Sequence, residues 1–161
     1  MRGKIKLFMK MNRQMKWLIV EAVFCLGWAR LLKAMPFSKV VRHLDLQPHE
    51  TTYAYNEADE AVMRRISNAL HLVSRHTWWE SKCLVRGLAA MNMLARRGIE
   101  STLYLGTAKD GDGRLIAHAW VRSGRIYVTG AAEIPQFTMI RLFGKNAAGS
   151  RSNGGALSRS R

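Results

Sequence analysis

The spacing of apolar residues along the chain changes period once. From Trp17 to Leu32 apolar side chains form a run interrupted by Glu21 and Arg30. This predicts a helix over about 16–34, ended by Pro36. Residues 45–56 are polar, contain Pro48 and predict a connector. A second helix is expected to start with Asn56 as N-cap and Asp59 three residues on, and to end near His76. Val62, Ile66, Ala69, Leu70 and Val73 fall on one face of it. Beyond Thr77, Trp78, Trp79 and Glu80, a third helix is predicted over about 82–97. Ser81 suits its N-cap, and Gly98 suits a left-handed C-cap after Arg96 and Arg97.

The period then shortens to that of strands. Ser101 to Lys109 and Leu115 to Arg122 predict two strands around the turn Asp110-Gly111-Asp112-Gly113. Ser123-Gly124 predicts a tight turn into a third strand, Arg125 to Thr129. Ile134 to Phe143 reads as a last short strand or edge piece. The order is helices followed by a small antiparallel sheet, which is the α+β class. Residues 1–16 read as a basic extension, 17–143 as one domain and 144–161 as a disordered basic tail.

Charge adds a first functional clue and then weakens it. The net charge of +15 suggests a nucleic-acid partner. Yet residues 1–16 hold six basic groups and residues 141–161 hold five, with no acid in either segment. The ends therefore supply eleven of the fifteen charges. No zinc-finger spacing or RNP-like segment accompanies them. Basic ends of this kind suit weak contact with an anionic surface, a membrane included. The charges within the first apolar run argue against a membrane span. That helix is expected to pack on the domain or, alternatively, to lie on a membrane surface. Two cysteines are too few for a disulfide scaffold and suit a reducing, cytoplasmic setting.

Cys83 is expected near the start of the third helix, where unpaired backbone N–H groups and the positive end of the helix dipole favour thiolate. The same N–H groups suit an oxyanion. A free cysteine is also commonly a small buried hydrophobe, and position alone leaves both readings open. His118 lies mid-strand among apolar neighbours, with Trp120 two residues on and on the same face. A cysteine at a helix start followed by a histidine on an antiparallel strand is the arrangement of papain-type and transglutaminase-type thiol enzymes. The remaining histidines do not cluster with cysteines or acids. The acids of the Asp110–Gly113 turn read as a solvated hairpin tip rather than a calcium loop.

The segments Cys83-Leu84-Val85-Arg86-Gly87-Leu88-Ala89, Leu94-Ala95-Arg96-Arg97-Gly98-Ile99, Leu103-Tyr104-Leu105-Gly106 and Ala117-His118-Ala119-Trp120-Val121 resemble the leader peptidase of lasso-peptide biosynthesis. This is the B-protein family of transglutaminase-like cysteine proteases. The resemblance covers roughly residues 17–130, and its combined Cys and Ala-His-Ala-Trp-Val segments agree with the family in order and spacing. It implies a transglutaminase/papain-like core over 17–143 that cleaves the leader from a ribosomally made precursor. Cys83 would be the nucleophile and His118 the general acid/base, with no metal or cofactor. The implied partners are the precursor, a separate leader-binding protein, and a cyclase resembling asparagine synthetase. The separate leader-binding protein is expected because the chain has no room for a recognition domain ahead of the peptidase region.

One family feature is missing. Where an Asp usually orients the imidazole, this sequence has Thr129 or, by another count, Gly130. Pairing across the Ser123-Gly124 turn predicts His118 opposite Thr129, whose hydroxyl would take the orienting role. Glu133, if the chain curls back, or a main-chain carbonyl are the other candidates. The missing acid also keeps open a non-catalytic scaffold or binding protein of a peptide-maturation complex.

Overall fold

The computed structural model describes residues 12–54, 56–75 and 83–147. Among the described residues four α-helices precede the strands: α1 (Arg13–Lys33), α2 (Phe37–His43), α3 (Glu57–Ser74) and α4 (Cys83–Ala95). The strands β1 (Ser101–Lys109), β2 (Leu115–Ser123), β3 (Ile126–Thr129) and β4 (Thr138–Lys145) follow. They form one antiparallel sheet in the order β3-β2-β1-β4. A 3₁₀ turn over Ile134–Gln136 precedes β4. The α+β class expected from the sequence is thus the class observed.

Local chemistry sets the helix ends. The Asn12 side chain accepts from Gln14 N, so α1 starts three residues earlier than the apolar run suggests. Pro36 ends the first helix region but also caps α2, which the apolar spacing did not reveal. Proline's fixed φ suits a helix start, where no N–H is required. Asn56 caps α3 as expected, accepting from Ala58 N at 3.1 Å. Met63 joins Ile66, Ala69, Leu70 and Val73 as a fully covered α3 residue, with Val62 only half-buried. After α4, Gly98 takes φ +69° and Ile99 N bonds back to Leu94 O. The expected Ser81 cap and Trp78–Trp79 lie outside the described residues, as do residues 148–161 of the expected tail.

α1 packs against α3 and α4, and α4 packs against β1, β2 and β3. One core fills the space between helices and sheet, including Leu26, Met63, Ile66, Leu70, Leu88, Leu94, Leu103 and Val121. Leu18, Ala22, Cys25, Leu26, Ala29 and Leu32 are the buried stripe of α1. The helix therefore packs on the domain. Among the described residues no helix is long and apolar enough to cross a membrane.

The connector after α2 is bound to the sheet. Gln47 and Gly144 exchange backbone hydrogen bonds at 2.9 and 2.8 Å, and Thr51 N donates to Thr102 Oγ1 at 2.9 Å. In the β1–β2 turn, Asp110 Oδ1 accepts from the amides of Asp112 and Arg114. Those bonds explain a hairpin tip rich in Asp and Gly without any ligand.

Candidate active site

Cys83 is the first described residue of α4, half-buried, with its thiol free. Cys25 provides the contrast. It is buried in the core, with Asn92 Nδ2 3.6 Å from its sulfur. Burial, reinforced by Glu21, pushes its thiol above the ordinary value.

His118 is buried in β2, and its ring is held on several sides. Phe137 lies 4.9 Å away between centroids, and Trp120 stacks at 6.0 Å. Nε2 is 3.1 Å from the carbonyl oxygen of Gly130 and 3.6 Å from Glu133 Oε2. A carbonyl only accepts, so Nε2 carries hydrogen in this bond. In the neutral imidazole Nδ1 is then left as the basic nitrogen.

Gly130 has φ +73°, and a Cβ there would stand 2.7 Å from Ala119 O and 3.0 Å from His118 Nε2. Only glycine permits so close an approach of this carbonyl to the imidazole.

The register corrects the expected place of Thr129. It pairs with Val121, not His118: the turn falls at Gly124-Arg125 rather than Ser123-Gly124, so Ser123 pairs with Ile126, and a bulge then lets Val128 enter between the Val121↔Thr129 and Arg122↔Tyr127 pairs. The Thr129 hydroxyl is buried and has no hydrogen-bond partner among the described residues. Contacts to His118 come instead from the turn beyond β3, through the Gly130 carbonyl and the Glu133 carboxylate.

Cys83 and His118 stand on elements that pack together, α4 and β2, but no hydrogen bond joins them. Strand alternation explains this. A Cβ on Gly87 of α4 would touch Leu103 and Val121, so those side chains face the helix. His118, Trp120 and Arg122 have the opposite parity and occupy the other face. The segment after β3 borders both regions. Arg86 of α4, Thr129, Gly130 and Glu133 line one cleft of about 240 Å³, with His71 and Asn68 of α3 across from them.

The sequence did not single out a buried polar network next to His118. Arg122, only 1% exposed, donates to Glu50 Oε1 at 3.0 Å, Tyr104 Oη at 2.8 Å and Thr51 O at 2.9 Å. Tyr104 also donates to Glu50, and Tyr53 covers the guanidinium at 3.8 Å. The Tyr104 bond, with those from Tyr53 and Arg122, holds the Glu50 carboxyl below its ordinary range. Burial and the bond to Glu50 push the Tyr104 phenol up, so it stays protonated. Tyr104 stacks on Trp120 at 5.6 Å, and Trp120 on His118. An arginine four residues after His118 in an otherwise apolar strand was the available signal.

Among the described residues no three His, Cys, Asp or Glu side chains are grouped to hold a metal ion. The family model described as Transglutaminase-like superfamily matches residues 22–142, which include Cys83, His118 and Glu133. No curated protein and no solved structure matches the chain significantly. The chain belongs to the transglutaminase-like superfamily.

Proposed function

We propose that the protein is a cysteine peptidase that removes the leader from a ribosomally made precursor of the lasso-peptide type. The observation that carries this reading is a half-buried free thiol at the N-terminal end of the described part of α4, combined with a histidine whose Nε2 is already committed to Gly130 and Glu133. Membership of a superfamily that includes cysteine peptidases supports it, as do the Cys83 and Ala117–Val121 motifs.

In the proposed reaction, Nδ1 of His118 takes the thiol proton and Cys83 Sγ attacks the carbonyl of the last leader residue. The amides of the first turn of α4 hold the oxyanion. The imidazolium returns its proton to the leaving amine as the C–N bond breaks, giving a thioester. Water, deprotonated at Nδ1, then releases the leader acid and the free thiol. Glu133 stabilises the imidazolium during both steps. A separate leader-binding protein presents the precursor, which raises its local concentration. The asparagine-synthetase-like cyclase takes the freed amine.

A specific observation favours a second reading, a non-catalytic scaffold of the maturation complex: His118 lies on the sheet face turned away from α4, without a bond to Cys83. Incubation with a lasso-type precursor and its leader-binding partner, followed by mass spectrometry, separates the two. Cleavage at one bond, lost in Cys83→Ala, supports the peptidase. An intact precursor with folded protein supports the scaffold.

A further inference from the structure

We infer that the outward face of α1 is a docking surface for an anionic lipid membrane, on which the helix lies in plane. Opposite its buried stripe, α1 exposes Trp17, Val20, Phe24 and Leu31, spaced three, four and seven residues apart on one side of the helix. Trp17, Phe24 and Leu31 are 66%, 74% and 72% exposed, and none of the described elements covers them. Exposed aromatics aligned on a single helix face are the apolar half of an interfacial helix.

Charge specifies the occupant. Glu21 is the one acid of α1, and it is tied to Arg97 at 2.6 Å and Arg96 at 3.6 Å. No free carboxylate therefore borders the stripe from α1. Arg96 and Arg97 join Trp17, Val20 and Phe24 in one shallow groove. Exposed Arg13 and Arg30 stand toward the two ends of the helix. The chain ahead of α1 adds Arg2, Lys4, Lys6 and Lys10 and no acid. Apolar side chains bordered by cations match the acyl boundary and the headgroups of an anionic leaflet. Because Leu18, Ala22, Leu26 and Ala29 bury the other side of α1, the helix docks without leaving the domain.

The test is co-sedimentation of the full chain with vesicles of phosphatidylcholine alone and of phosphatidylcholine mixed with phosphatidylglycerol. The mixed vesicles should capture the protein, and added salt should weaken capture. Trp17→Ser combined with Phe24→Ser should reduce it by at least about tenfold with unchanged circular dichroism. Both side chains point outward, so the fold survives their loss. Failure to bind the mixed vesicles overturns the proposal. So does undiminished binding of the variant, which would assign capture to the basic ends alone. Self-association removed by the same variant, without vesicle binding, would give the face to a second copy of the chain. None of these outcomes depends on peptidase activity.

Discussion

His118 Nε2 sits 3.1 Å from the carbonyl oxygen of Gly130, in a glycine that a side chain would exclude. The main chain beyond β3 therefore performs the first part of the job usually given to an acid, fixing ring orientation and tautomer. Glu133, at 3.6 Å from the same nitrogen, adds the negative charge. Gly130→Ala should clash with Ala119 O and His118 while holding a left-handed backbone. We expect a loss of about 1–3 kcal/mol in stability and of most cleavage. Urea unfolding and a cleavage assay on the same preparation check both.

Glu133→Gln keeps the shape and removes the charge. It should lower kcat by about tenfold with little change in KM, because the carboxylate acts on the imidazolium and not on the bound peptide. An unchanged kcat would leave orientation to the Gly130 carbonyl alone.

Thr129→Val is the matching control. The hydroxyl is buried without a partner among the described residues, so replacing it with a methyl should leave turnover unchanged and keep or raise the unfolding midpoint. A fall in kcat would return Thr129 to the orienting role that the sequence suggested.

The two cysteines should differ in reactivity. The Cys25 thiol is buried and held up by desolvation and Glu21, so at neutral pH it stays protonated and covered. Cys83 is only half-buried. Iodoacetamide should label Cys83 first in the folded protein, by at least about tenfold in rate, and both alike in urea. Peptide mass spectrometry reads the ratio.

Glu50 should make stability depend on pH. Its folded-state carboxyl titrates below the ordinary value, chiefly through the Tyr104 bond. Such a group contributes stability above the unfolded value and loses it as pH falls through the folded one. The difference in urea midpoint between the wild type and Glu50→Gln should therefore be present at neutral pH and shrink in acid. Arg122→Met, which removes the guanidinium donor from Glu50, Tyr104 and the Thr51 carbonyl, should cost about 3 kcal/mol or more at neutral pH.

The sequence by itself determined the order of the elements, the short helix α2 excepted, and the chemical types at the site. Asn56, Gly98 and the turn at Asp110–Gly113 act through their own and adjacent backbone, so their effects are local and legible. The period of the apolar residues likewise gave the limits of β1, β2 and β3 to within a residue, while β4 starts four residues later than expected because Ile134–Gln136 forms a 3₁₀ turn, and the spacing of Cys83 and His118 pointed to a thiol enzyme. Only the tertiary structure decided which groups meet. The place of β4 beside β1, and the grip of Arg122 on residues 50–52, depend on pairings between residues far apart in the chain. A turn lying one residue later, which shifts the pairing by two, and one added residue in β3 together moved Thr129 from His118 to Val121. A bulge changes register without leaving a mark on composition or period, because it relocates every partner beyond it while altering one residue's pairing.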